Sequence, residues 1–141
     1  MPTPAGQTAS HRSLRCYVVE DSPIIRQNLI ATLEEMIDVE IVGSAEDERG
    51  AVEWIRAEGA DCDLMIIDLF LKSGTGLEVL RHAREHRLRA RLAVLTNYAT
   101  AEMRRRCEAL GANRVFDKSA ELEELLAYCE ALAAELGGEP V

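Results

Sequence analysis

Short apolar runs and longer amphipathic stretches alternate from one end of the chain to the other. Leu14-Arg15-Cys16-Tyr17-Val18-Val19 predicts a first strand that ends on two consecutive carboxylates, Glu20 and Asp21. Ser22-Pro23 then supplies an N-cap and a proline at the first helical position. Ile25, Leu29, Leu33, Met36 and Ile37 follow on one helical face. Residues 39–45 predict a second strand, and residues 46–58 a second helix with Ala51, Trp54 and Ile55 inward and Gly59 as its stop. Leu64-Met65-Ile66-Ile67 runs unbroken into Asp68, the pattern of a strand buried on both faces. A third helix is expected over residues 75–87, carrying Leu77, Val79, Leu80 and Ala83. Residues 91–96 form a fourth strand, and residues 101–110 a fourth helix closed by Gly111 as its C′ glycine. Residues 114–117 are a short fifth strand. Ser119 is expected to cap the last helix, whose stripe is Leu122, Leu125, Leu126, Cys129, Leu132 and Leu136.

Strict strand–helix alternation implies a parallel sheet with right-handed crossovers and helices on both faces. With five strands the expected architecture is α/β, a doubly wound, flavodoxin-like (βα)5 fold with strand order 2-1-3-4-5. Residues 1–12 carry Pro, Thr, Ser and Gly without periodicity and are expected to be a disordered tail. Residues 13–136 form one domain, and residues 137–141 a short C-terminal tail. At 141 residues the chain can bury a core without staples.

Charge narrows the function classes. A net charge of −9 argues against direct nucleic-acid binding and against an anionic membrane surface. Cys16, Cys62, Cys107 and Cys129 lack metal-ligand spacing and read as reduced, packed thiols. No apolar run approaches the ~20 residues of a membrane span and no signal-peptide core is evident, so a cytoplasmic protein is expected.

In a parallel sheet all the carboxyl-terminal strand ends share one edge. Glu20-Asp21, Asp68, Thr96 and Lys118 therefore converge there, bringing three carboxylates, a hydroxyl and an ammonium together. Clustered carboxylates repel, and a divalent cation relieves them; oxygen-only donors favour Mg²⁺. A carboxylate beside Mg²⁺ can attack phosphorus to give an aspartyl phosphate, with Lys118 and Thr96 placed to meet the transferred charge.

These residues resemble the receiver domains of two-component response regulators, in the stand-alone form. The matching stretches are Val18-Val19-Glu20-Asp21-Ser22-Pro23, Asp68 through Gly76 to Leu80, Leu95-Thr96-Asn97, and Gly111 through Lys118 to Ser119. The resemblance implies a phosphoacceptor in a two-component or phosphorelay pathway. Asp68 would take phosphate from a sensor histidine kinase or phosphotransfer protein and lose it by slow autodephosphorylation. Glu20, Asp21, Asp68 and the backbone carbonyl of Phe70 would hold Mg²⁺, while Thr96 and Lys118 read the modified state. A downstream protein of unknown identity would bind the switched surface. The chain departs from the family pattern in four places. Ser119 stands where proline usually follows the lysine, and a cis bond there would cost about 2.5–4 kcal/mol. Lys72 replaces a frequent proline, Val115 an aromatic switch residue, and Asn97 a small residue beside the phosphodonor path.

Phe70 and Tyr98, each two residues beyond a site residue, are bulky enough either to shield the phosphoryl group from water or simply to cover the loop edge. Arg81, Arg84, Arg87, Arg89 and Arg91, and Arg104-Arg105-Arg106, read as solvated faces. The second cluster is also a candidate output surface, one that could pair with the acidic last helix across a homodimer. His82 and His86 have metal-pair spacing but no third ligand in sequence. Two rival readings stand beside the phosphoacceptor. One is a constitutive interaction module that is never phosphorylated. The other is a haloacid-dehalogenase-like phosphatase, which needs an Asp where Phe70 stands.

Overall fold

A computed structural model describes residues 13–58 and 61–137. The expected tail over residues 1–12, the Gly59 helix stop and residues 138–141 lie outside the described residues. Five strands, β1 (Leu14–Val19), β2 (Val39–Ala45), β3 (Leu64–Ile67), β4 (Arg91–Thr96) and β5 (Arg114–Asp117), alternate with five helices. The helices are α1 (Pro23–Met36), α2 (Glu48–Glu58), α3 (Gly76–Glu85), α4 (Ala101–Ala109) and α5 (Leu122–Gly137). Every strand pair is parallel and the order is β2-β1-β3-β4-β5, the doubly wound α/β arrangement that the alternation predicts.

The period of two along each strand splits the apolar side chains between two cores. On one face Leu29 and Leu33 of α1 and Leu125, Cys129 and Leu132 of α5 pack on Cys16, Val18, Leu64, Ile66 and Phe116. On the other, Ala51, Ile55, Val79, Leu80 and Cys107 from α2, α3 and α4 pack on Tyr17, Val19, Met65, Ile67 and Val94. All four residues of β3 are buried, which is why its sequence shows no alternation. The four cysteines are free and buried, and burial pushes the Cys62 and Cys129 thiols up to about 12.

Helices α2, α3 and α5 start later than the sequence expectation, each where a side chain engages local backbone donors. α2 starts two residues late, since the Asp47 carboxylate accepts the Gly50 N–H at 2.8 Å and so acts as its cap. α3 begins after Thr75, whose hydroxyl accepts the Glu78 N–H at 3.3 Å, and it ends at Glu85 rather than Arg87. Ser119 does not cap α5. Its N–H and hydroxyl both bind the Asp117 carboxylate, at 2.8 and 2.7 Å, and the first residue of the helix is Leu122.

Candidate functional site

Each candidate residue is delivered by the end of a strand. The β1 end is fixed to its neighbours by Glu20 N–H to Ala45 O and by Asp68 N–H to Val19 O, both at 2.9 Å. Arg26 of α1 reaches back to the Glu20 carbonyl at 2.8 Å. Glu20 and Asp68 are only 2% and 6% exposed, and Thr96 is fully buried. Carboxylate oxygens of Glu20, Asp21 and Asp68 all lie within 4.8 Å of one another.

Lys118 closes the cluster. Its ammonium donates to Glu20 Oε1 at 2.8 Å and to Asp68 Oδ2 at 2.9 Å, bridging two buried carboxylates. The second Glu20 oxygen accepts the Ser22 N–H at 3.0 Å. Burial raises the Glu20 carboxyl above its ordinary range, against the downward pull of the bonds from Lys118 and Ser22. Burial alone would lower the Lys118 pKa, but its hydrogen bonds to Glu20 and Asp68 outweigh that and raise it. Thr96 is tied to the same corner through its carbonyl, which accepts the Lys118 N–H at 2.8 Å. Its hydroxyl accepts the Tyr98 N–H at 3.1 Å.

The donor set suits a hard divalent ion, being oxygen only and carrying three carboxylates. Lys118 neutralises part of that charge, and Asp21 together with Asp68 Oδ1 remains available. Phe70 follows Asp68 on the same loop, where it forms an isolated bridge with Thr75. Its ring is 51% exposed and meets that of Tyr98, 57% exposed, edge-on at 4.6 Å. The departures at Ser119 and Val115 leave the backbone regular: the described residues contain no cis peptide, and Val115 is a buried core residue.

Spacing alone missed several contacts here. His82 does find carboxylate neighbours, Glu48 and Glu78, but His86 is not among them. Those carboxylates are already engaged, Glu48 by the Thr75 N–H at 3.1 Å and Glu78 by Arg81 at 2.7 Å. Arg104 is not solvated with its neighbours Arg105 and Arg106. It pairs with Glu121 at 2.8 Å within the chain.

A five-stranded doubly wound sheet with an acid–lysine cluster at its carboxyl edge defines a class of signalling domain. Residues 16–130 match the response regulator receiver domain family, and the chain belongs to it. The nitrate/nitrite response regulator NarL of Escherichia coli K12 is 30% identical over 120 residues, covering 84% of this chain and 55% of that protein. The curated relatives are longer: the chain spans between 21% and 55% of those it matches. A LuxR-family two-component response regulator from Aurantimonas superposes with a TM-score of 0.78 at 27% identity, covering 87% of this chain and 86% of that one. A response regulator from Burkholderia pseudomallei, solved with a phosphorylated aspartic acid, a calcium ion and citrate, gives 0.70 at 24% identity, covering 89% and 72%. No helix among the described residues is long and apolar enough to cross a membrane.

Proposed function

We propose that this chain is a cytoplasmic phosphoacceptor whose Asp68 takes a phosphoryl group from a histidine kinase or phosphotransfer protein and thereby switches a protein–protein contact. The observation that carries this reading is the Lys118 bridge between buried Glu20 and Asp68 at 2.8 and 2.9 Å. A purely structural strand end has no use for three carboxylates and an ammonium in one largely buried cluster. The similar Burkholderia protein, solved with a phosphorylated aspartic acid and a calcium ion, is consistent with the assignment.

In the transfer step an Asp68 carboxylate oxygen donates its electron pair to phosphorus. The phosphorus–nitrogen bond of the donor phosphohistidine breaks, and the imidazole leaves with that pair. Lys118 holds Asp68 Oδ2, which orients the carboxylate, and its ammonium faces the incoming charge. Glu20, Asp21, Asp68 and the Phe70 carbonyl would hold Mg²⁺, which supplies charge neutralisation of the transferred group. The donor docks beside a cleft of about 190 Å³ between α1 and α5, lined by Ile25, Leu29, Leu95, Lys118 and Leu122. Exposed Ile24 and Ile25 on the first turn of α1 give that partner an apolar foothold. Phe70 and Tyr98 pack on each other at the same edge and slow attack by water, so hydrolysis of the acyl phosphate is slow. Output through a second copy would set exposed Arg105 and Arg106 against the acidic positions of α5.

Intact mass after incubation with acetyl phosphate tests the assignment. The parent should gain one phosphoryl group with Mg²⁺ and none without it, and Asp68→Asn should gain none. No gain in the parent from acetyl phosphate or from histidine kinases would instead identify a constitutive interaction module. In the phosphorylated protein, Phe70→Asn and Tyr98→Ala should each shorten the lifetime; unchanged or longer lifetimes would remove the shielding role.

A further inference from the structure

Arg104 lies in a run of three arginines on α4, and its side chain turns back toward the sheet. Its Nε donates to the Ala99 carbonyl at 3.0 Å, its Nη1 to the Val115 carbonyl at 2.8 Å, and its Nη2 to Glu121 Oε1 at 2.8 Å. The same Glu121 oxygen accepts the Asp117 N–H at 2.8 Å, and the Glu121 N–H returns to the Asp117 carbonyl at 2.8 Å. One planar fork therefore joins the β4–α4 loop, the strand β5 and the β5–α5 loop. Val115 lies on an edge strand, so its outward carbonyl has no strand partner, and the guanidinium takes that place.

The two loops are those that leave the acidic site. Ala99 stands three residues beyond Thr96, and Glu121 three residues beyond Lys118. Val115 itself is a small β-branched core residue with no long side chain to swing between positions. Lysine could not replace this contact set, because a single ammonium cannot span three acceptors held by three separate segments.

We propose that Arg104 is a positioning residue that makes the β4–α4 and β5–α5 loops move as one unit, so that a change at Asp68 reaches both. The inference rests on the phosphoacceptor reading. Phosphate adds roughly −1.5 to −2 charge at Asp68, and Thr96 and Lys118 turn toward it. A shift of either strand end is then passed through the guanidinium to the other loop, and the face formed by α4 and α5 changes as a whole.

Hydrogen exchange with and without acetyl phosphate and Mg²⁺, on the parent, Arg104→Met and Arg104→Lys, tests this. Intact mass is read on the same samples. In the parent, phosphorylation should change protection over both residues 97–100 and residues 117–121. In both variants the mass gain should persist, while the response over 117–121 falls by about 5-fold or more, the lower end of ordinary coupling energies. Equal responses in both segments of Arg104→Met would overturn the inference, as would full recovery by Arg104→Lys, which would reduce the contact to charge. Thermal melts confirm that each variant is folded. A parent that takes no phosphate would overturn the phosphoacceptor reading itself, and this inference with it.

Discussion

Arg87 adopts a left-handed backbone, φ 54°, just past the end of α3. Its N–H binds the Arg84 carbonyl and the Leu88 N–H binds the Ala83 carbonyl, both at 3.0 Å, the paired bonds of a Schellman motif. α4 closes the same way with Gly111 at φ 104°, where no Cβ resists the turn. An L side chain in this conformation costs about 1–2 kcal/mol, and a glycine returns part of that as chain entropy in the unfolded state. Arg87→Gly should therefore stabilise the protein by about 0.5–1 kcal/mol, a rise of roughly 2–5 °C in Tm. Arg87→Ala, which keeps a Cβ, should show no such gain; an equal rise in both would place the effect in charge instead. Gly76 presents the opposite case. A Cβ there would run into the Asp68 carbonyl oxygen and come within 2.9 Å of Ile67 Cγ2 and Leu69 Cα. Because backbone must yield, Gly76→Ala should cost about 1–3 kcal/mol by overpacking. It should also slow phosphorylation from acetyl phosphate, since the strain falls on the peptide that carries Asp68. A variant of parental stability and rate would show that the loop absorbs the methyl group freely.

Helix ends and loops mark the limit of what the chain's pattern reveals. Strand positions were legible because the four apolar residues before Asp68, and the four from Cys16 to Val19 before Glu20, leave little choice of element. The convergence of Glu20, Asp21, Asp68, Thr96 and Lys118 was legible too, since parallel topology alone sends strand ends to one edge. Caps were legible only where the capping residue had no rival. Ser22 caps α1 as its place before Pro23 indicates, but Ser119 binds the Asp117 carboxylate instead, and Glu121 just ahead of α5 is held by Arg104 and the Asp117 N–H. The inward turn of Arg104 left no trace in spacing, because a long side chain on a helix flank can lie on either side of its own backbone. This corner has a pH signature. The Glu121 carboxyl is held below its ordinary value chiefly by its hydrogen bond from Arg104, then by the Asp117 N–H. A depressed acid contributes stability that is complete above the unfolded pKa, near 4.5, and that disappears as pH falls through the folded value. Urea unfolding at a series of pH values should show a constant deficit of Arg104→Met against the parent across neutral pH. That deficit should narrow below 4.5. Asp117 is depressed chiefly by Ser119, so its own loss occurs in both proteins and largely cancels. A deficit that stays the same in acid would remove the ion pair from the account.

The protein as a whole carries a net charge of −9, yet it buries acidic groups where its two cores meet one sheet edge. Hydrophobic packing on both faces fixes the strand ends, and those ends then hold Glu20 and Asp68 close together whether or not their charge is balanced. Lys118 is the cation that balances it within the chain, and it reaches both carboxylates from the end of β5, three strands from β1 and two from β3 in sheet order. Removing one partner of a buried ionic cluster strands the others, at about 3–5 kcal/mol. Lys118→Met should accordingly lower unfolding stability by about that much in the absence of divalent ions. Mg²⁺ at 100 times its Kd stabilises a native state by about 2.7 kcal/mol, and without the ammonium the carboxylates should bind it more tightly. The Mg²⁺-dependent rise in Tm should therefore be larger in Lys118→Met than in the parent, and small in Asp68→Asn. Should Lys118→Met lose less than about 1 kcal/mol, the level of an exposed pair, and respond to Mg²⁺ no more than the parent, the ammonium would not be the counter-ion that lets this fold keep an acidic site. The opposite result would show that one lysine both stabilises the resting protein and sets the affinity of its site for a cation.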